Sequence, residues 1–214
     1  MILMNNVTLN LGVLASHEGT NLQVILDACD QQFIDASVNV VISNNSDSGA
    51  LKRAQHSNVL AVHLSAITHS NEYELDSVIT ETMLSNQVNL ILLAGYMKKI
   101  GPLLLRHYKN RIINSHPSLL PLYSGKGMFG DLVHKAVLDN NEKISGITLH
   151  LVDESYDNGP KIAQKTVEVY PTDDITSLKN RIQITERKFW IETLKKICKK
   201  EIDLDLVSKQ NGVF

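Results

Sequence analysis

The chain has 214 residues, of which 43% are hydrophobic and 21% are charged. This composition is typical of a compact globular protein and excludes disordered, collagen-like and coiled-coil chains. The mean hydropathy is -0.08, and no apolar run approaches the ~20 residues that cross a bilayer. The first residues also lack the basic start and long apolar core of a signal peptide. We therefore expect no membrane span and a cytoplasmic location.

The net charge argues against nucleic acid as a ligand, and the two cysteines argue against a disulfide or a zinc site. The formal net charge is only -2 at pH 7, so the sequence offers no general basic field for holding nucleic acid. Any anion that it binds is expected to be small. Cys29 and Cys198 are far apart in the sequence, on helix-like segments. Their placement predicts core residues rather than a disulfide or a cysteine-based zinc site.

Apolar, strand-like segments alternate with helical patterns along the first half of the chain. Five strands are predicted, at Leu9–Ala15, Val38–Ile42, Val59–His63, Leu90–Ala94 and Ile112–Asn114. Helical periodicity begins near Asn21 and again near Ser70, and Pro102 is placed to open a short helix. This alternation predicts an α/β fold with a doubly wound, mostly parallel sheet and a Rossmann-like amino-terminal half.

The second half of the chain has a different pattern. The predicted elements are a glycine-rich surface loop at Leu119–Gly130, a helix at Asp131–Leu138, strands at Gly146–Val152 and Ile162–Val169, and a helix at Ile175–Lys199. The two strands are expected to be antiparallel neighbours, and Asp173 and Asp174 are candidate caps of the last helix. Because no repeat, linker or break in composition divides the sequence, we expect one domain over residues 1–214 with a short extension from about residue 200.

A polar loop follows the first predicted strand. In Ser16–Asn21, backbone N–H groups and the dipole of the following helix are placed to hold a phosphate. Only one of the glycines of a dinucleotide-binding fingerprint is present, at Gly19, so that motif is excluded. The alternative is an ordinary turn in which Thr20 or Asn21 caps the helix.

Two polar residues, separated by one position, lie at the end of the fifth predicted strand. Alternation along a strand puts Asn114 and His116 on the same face, and Pro117 and Pro121 restrict the backbone that follows them. A carboxamide can donate a hydrogen bond to a developing oxyanion, and an imidazole can donate or carry a proton near neutral pH. The alternative is a buried turn, in which Asn114 caps backbone groups and His116 is a hydrogen-bonded core histidine.

An acidic turn, Asp153–Pro160, separates the last two predicted strands. It contains the carboxylates of Asp153, Glu154 and Asp157. Acidic residues are common in solvated turns, so each of them alone favours a structural role. A carboxylate takes part in acid–base chemistry only beside a partner that exchanges protons with it.

Together these segments resemble the phosphoribosylglycinamide formyltransferases, a family of folate-dependent enzymes of purine synthesis. The similar segments are Gly19–Leu22, Leu93–Met97, Asn114 with His116–Pro121, and Asp153–Pro160, and the similarity runs from about Leu9 to Trp190. The His-Pro-Ser-Leu-Leu-Pro segment is shared with methionyl-tRNA formyltransferase and formyltetrahydrofolate hydrolase. The phosphate loop and the chain length favour the purine enzyme, because the other two carry additional domains.

The resemblance implies transfer of a formyl group from 10-formyltetrahydrofolate to the amine of glycinamide ribonucleotide, without a metal ion. It implies small-molecule partners, no nucleic acid or membrane, and a monomer or homodimer. The implied catalytic residues are Asn114, His116 and Asp157; the implied ribonucleotide-binding residues are Gly19, Thr20, Asn21, Gln183 and Glu186. The implied folate-binding residues are Met97, Lys98, Lys99, Ile100, Asn114 and Asp153.

Several positions depart from the family pattern. His17 and Glu18 replace a small residue and an asparagine, so Glu18 either weakens phosphate binding by charge repulsion or turns away from the site. No arginine near Ser70–Tyr73 matches the one that contacts the folate tail in better-known members. The alternative function is therefore a protein of this fold that binds folate or nucleotide and uses another amine acceptor or does not turn over.

Three further polar residues are weighed individually. Lys126, in the glycine-rich loop, is either a contact for an anionic substrate group or a solvated lysine. We expect His134 to face solvent on its helix. We expect His150 to have a structural hydrogen-bonding role, with support of the site as the alternative.

Overall fold

The computed structural model describes residues 8–210 of the chain, so the ends of the predicted domain lie outside the described residues. The strands are β1 Leu9–Ala15, β2 Ala36–Ser43, β3 Leu60–His63, β4 Leu90–Leu93, β5 Ile112–His116, β6 Ile144–Leu151 and β7 Lys161–Glu168. The helices are α1 Thr20–Asp30, α2 Gly49–His56, α3 Glu72–Ser85, α4 Pro102–His107, α5 Asp131–Asp139, α6 Ile175–Cys198 and α7 Leu204–Gln210. None of the helices within residues 8–210 is long and apolar enough to span a membrane.

All seven strands form one sheet in the order β3-β2-β1-β4-β5-β6-β7. The strands from β1 to β5 pair in parallel, while β6 and β7 are antiparallel to their neighbours. The order of the strands reverses between β1 and β4, and ligands of such sheets bind at the carboxyl ends of the strands beside that reversal. The prediction of a doubly wound, mostly parallel sheet is confirmed.

Helices cover both faces of the sheet, and β1 contributes side chains to both layers. Leu11 and Val13 are fully buried in the core beneath α1 and α6, and Leu14 is buried on the other face. Gly12 lies against α3, where an added Cβ would be 2.3 Å from Met83 Sδ. Burying each large aliphatic side chain stabilises the fold by roughly 1.5–3 kcal/mol. This double burial explains the continuous apolar sequence of the central strands.

The start of α6 follows the sequence prediction in part. Asp174 is the cap, since its carboxylate accepts the N–H of Ser177 at 2.7 Å while the Ser177 hydroxyl accepts the N–H of Asp174 at 3.0 Å. Asp173 instead forms a two-point ion pair with Arg181, with N–O distances of 2.6 and 2.7 Å. Hydrogen bonding to Arg181 holds the pKa of Asp173 well below its ordinary value. Asp173 also accepts the hydroxyl of Ser177 at 2.8 Å, so both acids help to fix the entry to α6.

The extension beyond residue 200 contains a helix that the sequence pattern did not predict. Leu204, the first residue of α7, is only 6% exposed and belongs to the core under α1 and α6. The carboxylate of Asp205 pairs with Arg111 at the start of β5, at 2.7 and 2.9 Å. The Asn110 amide donates to Ser208 at 3.0 Å. These distant contacts stabilise a helix too short to be stable alone.

The expected position of His134 is wrong. Its side chain is only 3% exposed and lies on the buried face of α5 between Val133 and Val137. Within residues 8–210 its Nδ1 atom has no hydrogen-bond partner. Burial lowers the pKa of His134 to about 4. The imidazole is therefore a neutral part of the packing at neutral pH.

Candidate functional site

Asn114 and His116 project from the same face of β5, near its carboxyl end. The strand continues to His116, two residues beyond the predicted end, because His116 still pairs with Thr148 of β6. The turn after β6 begins beside Ile112, whose carbonyl accepts the Val152 N–H at 2.9 Å. That turn then folds back over the sheet and brings Asp157 to the other two side chains.

The structure places the three residues of the implied catalytic set in contact. His116 Nδ1 lies 3.4 Å from one carboxylate oxygen of Asp157, and Asn114 Nδ2 lies 3.5 Å from the other. The side chains of His116 and Asp157 are 4% and 12% exposed. An amide, an imidazole and a carboxylate thus meet in surroundings with little water, where electrostatic interactions are strong.

Both ring nitrogens of His116 face acceptors. Nε2 lies 2.7 Å from the carbonyl oxygen of Tyr123, which can only accept, so Nε2 carries a proton. Nδ1 faces the carboxylate of Asp157, so a hydrogen bond on that side requires a second proton. The doubly protonated imidazolium therefore satisfies this site fully. Such a cation is suited to stabilising a negative oxygen.

Asp157 is held by several donors and adopts an unusual backbone conformation. Burial alone would raise the pKa of Asp157, but hydrogen bonds with His116 and the Gly125 N–H hold the pKa well below its ordinary value of 3.8. Gly125 N lies 3.2 Å from the carboxylate. The φ angle of Asp157 is 53° and that of Tyr123 is 54°, both in the left-handed region. Strained backbone of this kind is frequent at functional sites.

His150 contacts the same cluster from β6. Its Nδ1 lies 2.8 Å from the Leu151 carbonyl oxygen and must donate to it, which leaves Nε2 as an acceptor in the neutral ring. Nε2 lies 3.1 Å from Asn114 Nδ2 and 3.7 Å from Asp157. His150 therefore has the expected hydrogen-bonding role. Because one of its partners is Asn114, the same hydrogen bond also supports the site.

The loop after β1 packs tightly against α2. Gly19 has a φ of 68°, and an added Cβ would lie 2.8 Å from the Cα of Ala50. Gly19 is the residue that precedes α1, and no side chain caps that helix. The alternative of a cap by Thr20 or Asn21 therefore does not describe this turn. The loop leaves the first N–H groups of α1 without a side-chain partner.

Glu18 turns toward α2. Its carboxylate lies beside Gly49, the first residue of that helix, where an added Cβ would be 2.8 Å from Glu18 Oε2. Arg53 donates to the Glu18 carbonyl at 2.8 Å and to Gln23 of α1 at 2.9 Å. A negative charge at the start of α2 is favourable because of the helix dipole. The acid therefore has a structural position outside the α1 turn.

Glu186 lies beside Asn21 and Ser115, on the opposite face of β5 from His116. Burial raises the pKa of Glu186 above 4.5, and the neighbouring Ser115 and Asn21 side chains oppose this rise without cancelling it. Within the described residues, Asn21 Oδ1 is buried without a hydrogen-bond partner. Gln183 is half-buried one turn earlier in α6. The start of α1 and the middle of α6 thus bring polar side chains together on this face of the sheet.

The segment Met97–Ile100 follows β4 at the same end of the sheet. Met97, Lys98 and Lys99 are exposed, whereas Ile100 is 7% exposed and packs in the core. Asp153 is exposed, and its carboxylate accepts the N–H of Ser155 at 2.8 Å within its own turn. Asp153 thus stabilises the turn that carries Asp157, and no contact joins it to the Asn114–His116 cluster.

Comparison with known proteins places this geometry in a family. The sequence profile of the family described as formyl transferase matches residues 9–194, which include β1 to β7 and most of α6. The chain belongs to the formyl transferase family. The match includes Asn114, His116 and Asp157 as well as the Gly19 loop.

Two relatives and one solved structure similar to this formyl transferase are named for the same activity. The phosphoribosylglycinamide formyltransferase of Bacillus subtilis is 33% identical over 86% of this chain and 92% of that protein. The chloroplastic enzyme of the same name from Arabidopsis thaliana is 33% identical over 90% of this chain, which spans 66% of the plant protein. The crystal structure of glycinamide ribonucleotide transformylase 1 from Symbiobacterium toebii has 34% identity and a TM-score of 0.84, covering 90% of this chain and 89% of that one.

Within residues 8–210, this formyl transferase contains no group of three or more His, Cys, Asp or Glu residues placed to hold a metal ion. Cys198 is buried and Cys29 is half-buried, in accord with core positions. Burial raises the pKa of the Cys29 thiol to about 11. Both cysteines are therefore protonated at neutral pH.

Two serines at this site were missed by the sequence analysis. Ser115 alternates with Asn114 and His116, so the same period-two pattern puts its hydroxyl on the face toward Glu186. Ser16, at the end of β1, contacts Met97. A polar residue within a buried strand was the available signal for Ser115. No local signal marked the partner of Ser16.

Proposed function

We propose that this protein transfers the formyl group of 10-formyltetrahydrofolate to the amine of glycinamide ribonucleotide, a step of de novo purine synthesis. The observation that carries the proposal is the contact of Asn114, His116 and Asp157 at the carboxyl end of β5, at the same edge of the sheet as the Gly19 loop and the Met97 segment. The names of relatives that are one third identical over most of the chain support the choice of substrates.

The reaction requires stabilisation of a negative oxygen. The substrate amine attacks the formyl carbon, a C–N bond forms, and the carbonyl oxygen becomes an oxyanion. Asn114 Nδ2 is the donor that we assign to this oxygen, and the positive charge of the His116 imidazolium stabilises it electrostatically. The bond from the formyl carbon to the folate nitrogen then breaks as the carbonyl re-forms.

Two proton movements accompany these bond changes. The attacking amine loses a proton and the departing folate nitrogen gains one. Asp157 is anionic in the folded protein, so it stabilises the charged form of His116 and can accept the amine proton directly or through water. No step in this scheme calls for a metal ion or a covalent enzyme intermediate. Alignment of the two substrates supplies much of the acceleration, of order 7–11 kcal/mol in favourable cases.

The two substrates are assigned to different loops at this edge of the sheet. We place the phosphate of the ribonucleotide at Gly19, Thr20 and Asn21, because α1 begins there without a side-chain cap. Gln183 and Glu186 complete this subsite from α6. The folate is assigned to Met97, Lys98, Lys99 and Ile100, with Asn114 shared and the Asp153 turn closing over the ring.

The alternative of a protein without turnover rested on His17 and Glu18, and the Glu18 carboxylate lies against α2, which removes one of these two reasons. A cytoplasmic location, a single domain and a monomeric or homodimeric state stay predictions of the sequence.

The test is a direct assay of the purified protein. Glycinamide ribonucleotide and 10-formyltetrahydrofolate are mixed with it, and deformylated folate is followed by absorbance. We expect product only when both substrates are present. His107→Ala, which changes an exposed histidine at the end of α4, is the control and keeps its rate. Absence of product with the wild-type protein would overturn the proposed function.

A further inference from the structure

The hydroxyl of Ser16 connects three loops at the carboxyl end of the sheet. Ser16 follows β1 directly and is only 2% exposed. Its Oγ accepts the N–H of Met97 at 2.8 Å and donates to Asn44 Oδ1, in the loop after β2, at 2.5 Å. A serine hydroxyl has one proton, and this proton is committed to Asn44. The two hydrogen bonds therefore form one directional chain from Met97 through Ser16 to Asn44.

Backbone contacts hold the same loops at neighbouring points. The N–H of Ser16 donates to the Gly95 carbonyl at 3.1 Å, and the His17 carbonyl accepts the Ala50 N–H at 3.0 Å. Gly95 has a positive φ of 77°. The Ser16 side chain is thus set where the loops that follow β1 and β4 are already close. Hydrogen bonds in such a chain polarise and strengthen one another.

We propose that Ser16 is a positioning residue that couples the ribonucleotide subsite to the folate subsite, by fixing the Met97 segment against the loop that starts α1. The inference rests on the proposed function, since it uses the assignment of these two loops to the two substrates. Ser16 itself touches neither reacting group in this scheme. Its hydroxyl sets the distance and orientation between the two loops that would bind them.

The physical consequence of removing the hydroxyl is specific. In Ser16→Ala, the Met97 N–H and the Asn44 carbonyl each lose a partner at a partly buried site. Both loops then gain freedom relative to each other. Because each loop contributes to a different substrate, KM for both substrates rises together. We expect each KM to rise about five- to tenfold, the size of one lost hydrogen bond, with a smaller change in kcat.

A matched control lies at the other end of β2. The Ser37 hydroxyl also donates to an asparagine side chain, at 2.7 Å from Asn39 Oδ1, but Ser37 is exposed and distant in sequence from both loops. Ser37→Ala therefore removes the same kind of hydrogen bond without affecting the loops. Both KM values of this variant should stay within about twofold of wild type.

Variants of Asn44 test the chain from its other end. Asn44→Ala removes the acceptor of the Ser16 proton and should raise both KM values, whereas Asn44→Asp retains an oxygen at that position and should restore them in large part. The double variant of Ser16→Ala with Asn44→Ala should have KM values close to those of Ser16→Ala alone. If Ser16→Ala fails to fold, the Asn44→Ala and Asn44→Asp pair provides the same comparison.

The outcomes separate the two hypotheses. Wild-type turnover with raised KM for both substrates in Ser16→Ala, and normal values in Ser37→Ala, supports the coupling. Unchanged KM values in Ser16→Ala, a rise for one substrate only, or a loss confined to kcat overturns it while the proposed function stands. A wild-type protein without product overturns the proposed function; Ser16 is then tested by binding of a folate analogue with and without the ribonucleotide.

Discussion

Asn114 and His150 are directly opposite each other on β5 and β6, and their side chains meet with 3.1 Å between Nδ2 and Nε2. Since His150 donates through Nδ1 to its neighbouring carbonyl, its Nε2 accepts from Asn114. Because Nε2 is an acceptor, this contact orients the Asn114 amide with its nitrogen, rather than its oxygen, toward His150. The donor that we assign to the oxyanion is therefore oriented by a residue on the adjacent strand.

The first prediction concerns this orientation. His150→Leu removes the acceptor and allows the Asn114 amide to rotate, so we expect kcat to fall at least about tenfold. Asn114→Ala should lower kcat by a similar or larger factor. The double variant should be no slower than Asn114→Ala, because His150 acts through that amide. Independent, multiplying losses in a steady-state assay would refute this pathway.

The second prediction concerns proton transfer. His116→Ala and Asp157→Ala should each lower turnover at least about tenfold, the usual minimum for a group that donates or accepts a proton in the transition state. Asp157→Asn should lose a comparable amount, because the amide keeps the shape and loses the charge that favours the imidazolium. His107→Ala is again the control. A near-normal rate in any one variant removes that residue from the mechanism.

The third prediction separates backbone strain from close packing in the proposed phosphate loop. Gly19→Ala suffers both, since its φ is 68° and its Cβ would lie 2.8 Å from Ala50 Cα. We expect a loss of ~1–3 kcal/mol in the free energy of unfolding and weaker ribonucleotide binding. Gly127→Ala is the matched control, because its φ is 91° but an added Cβ has open space. Isothermal titration should show normal ribonucleotide affinity for Gly127→Ala, and equal affinities in both variants would contradict the assignment.

The fourth prediction uses two carboxyls with opposite pKa shifts. The pKa of Glu186 is raised by burial, so its protonated form is favoured in the folded state and its contribution to stability is lost as pH rises above 4.5. Glu186→Gln should therefore gain stability relative to wild type over the pH range above 4.5, as measured by urea unfolding. A constant difference across that range would contradict the raised pKa.

Asp157 provides the opposite sign in the same experiment. Burial raises the pKa of Asp157, but hydrogen bonding with His116 lowers it by more, so the contribution of Asp157 to stability is present above pH 3.8 and is lost as pH falls below that value. Wild type should therefore lose its advantage over Asp157→Asn in acid, rather than toward alkaline pH. If the stability of Asp157→Asn and Glu186→Gln relative to wild type changed with pH in the same direction, at least one of the two pKa assignments would be wrong.

Much of the fold could be predicted because the sheet is buried on both faces. Alternating apolar segments and helical periodicity marked β1 to β7, α1 and α3 to α6, with small errors at the ends, while α2 was not predicted. The helix α7 was missed because its stability comes from Arg111, far away in the sequence. His134 was assigned to the wrong face because α5 is short, and the buried stripe defined by Val133 and Val137 is wide enough to include it.

The site residues that are close together in the sequence could be predicted from it. Asn114 and His116 share a strand face, and the family resemblance supplied Asp157. Ser16 was not predictable in this way, because its partner Met97 is 81 positions away and a serine at a strand end has many ordinary explanations. Contacts of that kind depend on how loops meet in three dimensions, and a single sequence carries no local trace of them.

The alternation along β5 has a consequence for insertions and deletions. Asn114 and His116 face Asp157, while Ser115 faces Glu186 on the reverse side. Shifting the strand by one residue would exchange these two sets of side chains across the sheet. The spacing of this short strand is therefore more constrained than the identity of any one of its residues, and lineages that tolerate many replacements elsewhere should preserve its length.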